Sequence, residues 1–343
     1  MRLQTRKIRI ADALHDITGD VGYLSSMGDT FEPMTLEILS SIVAPDSHVI
    51  DVGANIGFTA IGLSQFCPAG RIAAIEPVPR TYALLQRNVR APNVSLHNFA
   101  LGAESGELEM QGNPDFLAGS FIADKFSIKG SNHFVERVPV HRLDDVLDQT
   151  GLARLDAMKI DVEGFELDVF EGSKKTFDAY GPLVFMEMNH WCLSMFRRMT
   201  IPEFRERLLK VFPCAFAVHG TEIHDLTEDN AAYHVAHEHL NHNKFSNLLA
   251  GFNRSDVEAA LNKYLAKRTA FMPPESHLRP HDIEALIARA ESAEQQVRVF
   301  EYRASELEKV VIDKERLIWH LEEKLCQIER KLTDQEPGAG SPA

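Results

Sequence analysis

The chain has 343 residues, 44% of them apolar and 25% charged, which fits a globular protein longer than one average domain. A formal net charge of −14 and a pI near 5.5 exclude a polyanion such as DNA or RNA as the main partner, because phosphate backbones need a basic face. Four cysteines, Cys67, Cys192, Cys214 and Cys326, lie far apart without a C-x-x-C pair, so they read as free thiols of a reducing compartment. With no signal-length apolar run and no membrane-span pattern, the expectation is a cytoplasmic protein.

Residues 1–30 form an N-terminal extension whose mixed pattern assigns no element. Phe31 to Val43 reads as a helix, with Met34, Ile38 and Ile42 on one face and Pro33 near its start. His48 to Val52 reads as a buried strand, followed by the turn Gly53-Ala54-Asn55-Ile56-Gly57 and a helix from Phe58 to about Phe66. Strand, glycine turn and helix is how an α/β sheet holds a nucleotide-like ligand. Gly53 and Gly57 would let backbone approach that ligand without a Cβ between them. Asp51, at the strand's carboxyl end, would accept from a bound ammonium, and Asn55 would bridge backbone and ligand. Asn55 stands where a dinucleotide fingerprint has glycine, which weakens a pyrophosphate reading. A nucleoside with a charged, phosphate-free tail fits better, and S-adenosylmethionine is such a molecule. A plain structural turn is the alternative.

Arg71 to Ile75 reads as the second strand and Pro79 to Val89 as its helix, with Val94 to Phe99 as the third strand. Glu76 follows Asp51 by 25 residues, close to the spacing of roughly 20 at which an acidic residue meets ribose hydroxyls. A solvated strand-end glutamate is the alternative. Leu101 to Arg142 is the least regular part, with strand-like Glu107–Met110 and Val138–His141, and reads as a lid, a substrate surface or a connector. Leu143 to Leu147 reads as a short helix. Ala157 to Ile160 reads as a strand ending in Asp161-Val162-Glu163-Gly164, and Pro182 to Met188 as another carrying Glu187. Asp161, Glu163 and Glu187 thus come from neighbouring strand ends, where open α/β sheets bind ligands. Glu163 could instead pair with Lys159 or favour the next helix's dipole.

Ile201 to Val211 reads as a helix, and Cys214–Val218 with Phe245–Gly251 as a closing, hairpin-like pair. His234, His237, His239 and His242 lie between them, and a metal there is conceivable, but no H-E-x-x-H motif occurs and no metal is assigned. Residues 253–281 read as a helix and a proline-bearing linker. From 282 to 336 Gly and Pro vanish, and a 3-4 apolar repeat runs through Ile283, Leu286, Val297, Phe300, Leu307, Val311, Ile318, Leu321 and Leu325. That is a coiled coil, leaning to a parallel homodimer or to a partner protein, followed by a disordered tail at 337–343.

Six segments together resemble the FkbM family of S-adenosylmethionine-dependent methyltransferases: Val49–Ala60, Ile75–Pro77, Asn98–Gly102, Leu143–Leu147, Met158–Gly172 and Pro182–Asn189. The resemblance covers about residues 30–252 and implies a domain spanning 31–252, without the coiled coil. It implies a class I methyltransferase fold, Rossmann-like and α/β, with a mostly parallel sheet and an antiparallel edge strand. It implies S-adenosylmethionine as cofactor and methyl transfer to a hydroxyl, with a saccharide, glycan or other small-molecule acceptor. Carried onto this chain, Asp51, Gly53, Ala54, Asn55 and Gly57 would hold the methionine end, Glu76 the ribose, and Asn98 to Ala100 would lie near the adenine. Asp161 would meet the methionine end or the acceptor. Asp161, Glu163 and Glu187 are the candidate catalytic carboxylates, with His190 a further candidate base. Two rivals differ in class: a coiled-coil scaffold of a glycan-assembly system with a non-catalytic domain, and a nucleotide-binding oxidoreductase, which Asn55 disfavours.

Overall fold

A computed structural model describes residues 2–113, 116–122 and 133–271. The predicted coiled coil at 282–336, the linker before it and the tail lie outside the described residues. The N-terminal stretch left unassigned by sequence is an antiparallel hairpin of β1 (Leu3–Ile10) and β2 (Ala13–Asp20). Its alternation is genuine but sparse, since only Ile8, Ile10 and Ile17 bury large apolar side chains. Asn88 fixes the hairpin to the glycine turn, donating to the carbonyls of Thr18 and Ile56 at 2.9 and 2.8 Å.

The strands that follow are β3 (His48–Val52), β4 (Arg71–Ile75), β5 (Val94–His97), β6 (Ala100–Leu101), β7 (Gly106–Asn113), β8 (Phe116–Ile122) and β9 (Phe134–His141). They continue with β10 (Ala157–Ile160), β11 (Leu183–Glu187), β12 (Cys214–His219), β13 (Glu222–Asp225) and β14 (Asn247–Gly251). Eight of them build one mixed sheet in the order β13-β12-β14-β11-β10-β3-β4-β5. From β3 the chain moves outward through β4 to β5, and from β10 it moves the other way to β11. The order therefore reverses between β3 and β10, which pair in parallel, and a crevice opens at their carboxyl ends.

The far side of the sheet corrects one expectation. β14 does pair antiparallel with β12, as expected, but it does not close the edge. It runs antiparallel between β11 and β12, inside the sheet, and the antiparallel edge strand is β13. Burial explains the placement: every residue of β14 is buried, whereas β13 runs from exposed to half-buried. A strand apolar on both faces needs neighbours on both sides.

Alternation along β3 distributes the core. Val49 faces a layer with Ile38, Leu39, Leu63, Leu249, Leu261 and Tyr264. Ile50 and Val52 face the opposite layer, with Ile160, Phe170, Phe204 and Phe212. Burying each such side chain contributes roughly 1.5–3 kcal/mol. The helix Arg254–Phe271 packs on the helix Pro33–Ile42, and the Tyr264 hydroxyl donates to the Gly220 carbonyl at 2.6 Å. The region that looked irregular after Leu101 is a second sheet, ordered β6-β9-β7-β8, and it walls one side of the crevice. The histidine-bearing segment is a helix, Asp229–His242.

Candidate active site

The glycine turn is built by backbone constraints before any ligand is considered. The amides of Gly53 and Ala54 both donate to the Ile75 carbonyl, at 3.0 and 2.9 Å, and so tie the turn to β4. Gly53 has φ +75° and Gly57 φ +105°, in the region that favours glycine. A Cβ on Gly53 would stand 1.9 Å from the Asp161 carbonyl oxygen, and one on Gly57 would stand 2.5 Å from Val89. The two glycines therefore admit neighbouring protein, a different reason from the ligand approach expected from sequence. Asn55 takes φ +48°, a conformation asparagine tolerates better than most residues.

Asp51 is fully buried. Thr59 donates to its Oδ2 at 2.6 Å, and Lys159 Nζ stands 3.3 Å from Oδ1, an ion pair without hydrogen-bond alignment. Lys159 also donates to the Gly53 carbonyl at 2.9 Å and lies 3.7 Å from Asp161. Burial alone would lower the lysine's pKa, but Asp51 and Asp161 more than reverse that and raise it. Asp51 thus reaches the crevice through Lys159 instead of facing a ligand directly. Lys159 is no partner of Glu163.

Glu76 follows β4 and is 6% exposed. Its two carboxylate oxygens accept from the amides of Asn55 and Val78, at 3.0 and 2.9 Å. Burial pushes its pKa up to about 7, against the pull of those two donors. Asn98 does not face the crevice: its amide donates to the carbonyls of Glu76 and Pro77, both at 2.9 Å. It braces the segment that presents Glu76. Ala100 is the part of that stretch that lines the crevice.

Across the switch point, carboxylates crowd. Asp161 and Glu187 line the crevice together with Lys159 and Glu32. Glu187 is pushed up to about 9, first by the Asp161 charge, then by burial, with Glu163 and Glu32 adding to it. Burial likewise raises Glu32. Burial and the charge of Asp161 bring Glu163 to about 7. The Glu163 Oε2 accepts from the Asn189 amide at 3.2 Å and the Cys192 thiol at 2.8 Å, so this carboxyl is tied to the start of the helix His190–Arg197. Asp161 and Glu163 both line one part of the crevice, and Asp161 alone lines the other.

The crevice has two hollows that share Gly53, Asn55 and Asp161. The first runs past Glu76 between Ile75, Ala100, Ile122 and Phe165. The side chains of Asn55 and Thr81 each leave a buried oxygen without a protein partner there. Orphaned acceptors beside a strand-end carboxylate and apolar walls fit a nucleoside with a polar tail. The second hollow is polar and acidic, walled by Tyr23, Glu32, Lys159, Asp161, Glu187 and Asn247. Sequence reasoning missed Glu32, Tyr23 and Asn247, since each comes from an element whose place was not legible. It undervalued Lys159, whose i, i+2 spacing to Asp161 was the available signal. His190 packs its ring on that of His239, with centroids 4.8 Å apart. The four histidines considered for a metal do not converge: His239 is buried and bonded to the Lys244 carbonyl, while His237 and His242 are exposed.

The three described cysteines, Cys67, Cys192 and Cys214, are free. Among the described residues no helix is long and apolar enough to cross a membrane.

Residues 51–213 match the Methyltransferase FkbM domain. Methyltransferase 1 of Beauveria bassiana is 34% identical over 151 residues, covering 38% of this chain and 61% of that protein. The 2-O-methyltransferase NoeI of Sinorhizobium fredii is 28% identical over 156 residues, covering 41% and 63%. The hexuronic acid methyltransferase AglP of Haloferax volcanii is 28% identical over 143 residues, covering 41% and 56%. The chain thus spans about three fifths of the length of these three relatives. The solved Methyltransferase FkbM of Methylobacillus flagellatus aligns at 15% identity and a TM-score of 0.38, over 61% of this chain and 44% of that one. That likeness is too slight to add to the argument. The matched segment begins at Asp51 and contains the glycine turn, Glu76, Asp161 and Glu187. Residues 51–213 are thus similar to a methyltransferase domain of the FkbM type.

Proposed function

We propose that the protein is an S-adenosylmethionine-dependent O-methyltransferase whose acceptor is a hydroxyl of a saccharide or similar polyol, uncharged or amino-substituted. The observation that carries this reading is the meeting of the two hollows at Gly53, Asn55 and Asp161. A cofactor and an acceptor entering from opposite ends would present their reacting atoms at that junction. Bound in the first hollow, the cofactor supplies a methyl group activated by a sulfonium. Glu76 binds the ribose with the lone pairs its two backbone donors leave free. Asn55 accepts from the ammonium of the amino-acid end.

In the second hollow Asp161 takes the proton of the attacking hydroxyl, as general base, and Lys159 holds the carboxylate in position. Glu187, protonated at neutral pH in the free chain, donates a hydrogen bond to the acceptor. Glu163 stays bonded to Asn189 and Cys192 and fixes the loop that carries Asp161. Alignment of oxygen, methyl and sulfur supplies much of the rate, and the walls of the crevice provide it. The acidic hollow also sets acceptor charge. Hydroxyls and ammonium groups donate to carboxylates, whereas an acceptor with its own carboxylate meets like charges.

Calorimetric titration of the full chain with S-adenosylmethionine and S-adenosylhomocysteine tests the cofactor assignment. Saturable binding to the wild type should weaken about 10- to 100-fold in Glu76→Ala, the effect of losing a charge-assisted hydrogen bond pair. Asp161→Asn should keep cofactor binding and lose methyl transfer. A well-folded wild type that binds neither compound would overturn the proposal.

A further inference from the structure

We propose that the far edge of the sheet carries a second site, for a divalent ion of the zinc class, formed by Glu222 and His224 of β13 and His234 of the helix Asp229–His242. One ligand atom from each of these residues lies within 4.8 Å of the others. The fold explains the convergence. Glu222 and His224 are two residues apart on one strand, so their side chains leave the same face. The helix lies against that strand and brings His234 down onto it. The two imidazole rings stand 4.9 Å apart. Both rest on Phe245, at 4.9 Å from His224 and 6.0 Å from His234, which gives the cluster an apolar floor. His224 Nε2 is buried and has no protein hydrogen-bond partner. A buried ring nitrogen without a partner is costly, and a metal ion satisfies it.

The donor set selects the ion. Two imidazoles and one carboxylate suit zinc, cobalt, nickel or copper, whereas magnesium and calcium want oxygen alone. Three protein ligands leave a fourth position for water. The sheet order places β12, β14 and β11 between this cluster and β10, so the ion would stand away from Asp161. Its role there is to clamp the exposed edge strand to the helix above it. Lys244 competes for the site, because its Nζ holds both oxygens of Glu222 at 2.7 and 2.9 Å. Removing that cation should strengthen metal binding.

The experiment uses the full chain, stripped with a chelator and titrated with cobalt(II) and then zinc. The expected result is a saturable visible cobalt absorption that zinc displaces. His224→Ala and His234→Ala should each weaken binding at least about tenfold, and Lys244→Met should tighten it. Zinc should raise the Tm of the wild type and leave that of His234→Ala unchanged. His234 is exposed, so that variant should fold, and far-ultraviolet circular dichroism checks it. An absence of saturable cobalt binding would overturn the proposal. So would binding that survives both histidine substitutions, which would place the metal elsewhere in the chain.

Discussion

The two sides of the crevice handle buried carboxylates in opposite ways. At the ends of β3 and β4, Asp51 is shared between Thr59 and Lys159, and Glu76 has a backbone amide on each oxygen. At the ends of β10 and β11, Asp161, Glu187 and Glu32 line one hollow with a single lysine, Lys159, which is shared between Asp51 and Asp161. The first arrangement holds a shape, because its carboxylates are matched by donors the fold supplies. The second stores unfavourable charge that protons, or a ligand rich in donors, relieve.

Breaking the satisfied side should cost most. Lys159→Met leaves Asp51 buried without a counter-charge, a loss of about 3–5 kcal/mol in denaturant unfolding. Adding Asp51→Asn to that variant should restore much of the loss, and failure to do so would mean that Lys159 chiefly serves the Gly53 carbonyl. Gly53→Ala comes next. Its left-handed backbone alone costs about 1–2 kcal/mol, and the contact with the Asp161 carbonyl adds to this. A variant with unchanged Tm would show that the two strand ends separate easily.

The unsatisfied side should show itself in pH dependence. Glu187 titrates near 9 in the folded chain and in the ordinary carboxylate range when unfolded. The folded chain therefore holds an extra proton between those values, and its stability is greatest at the acidic end and falls as pH rises toward 9. Glu76 and Glu163, each near 7, slope the same way. Glu187→Gln cannot ionise. It should stabilise the chain at pH 9 by on the order of 2 kcal/mol, after allowance for partial exposure, and change little at pH 5. Equal effects at both pH values would remove Glu187 from the charged cluster. The smallest effect belongs to a bracing residue: Asn98→Ala loses two bonds to backbone carbonyls, about 1–2 kcal/mol, with a weaker cofactor titration because Glu76 is less well held.

Much of the frame was legible in the chain. β3, β4 and β10, and the helices Phe58–Phe66 and Ile201–Val211, follow from apolar runs bounded by Gly, Pro or charge. The strands at the edges were harder. The N-terminal hairpin has too few apolar residues for its alternation to stand out, and β13 is four residues long and half-exposed. β12 and β14 were each visible as strands, but nothing local says that β14 enters between β11 and β12. The candidate site divides in the same way. Strand-end carboxylates could be picked by position, whereas Glu32 and Tyr23 come from a loop and a short helix brought to the crevice by the hairpin.

By itself, the sequence determined which segments become strands and helices, and which acids stand at the carboxyl ends of strands. Those depend on periodicity, turn chemistry and spacing, all of which are local. Only the tertiary structure decided which acids are matched. Lys159 chooses Asp51 and Asp161 over Glu163 because β10 pairs with β3, and Glu76 is filled by amides because the glycine turn folds onto β4. Charge energies at a few ångströms depend on distance and burial, and neither is written in the order of residues along the chain.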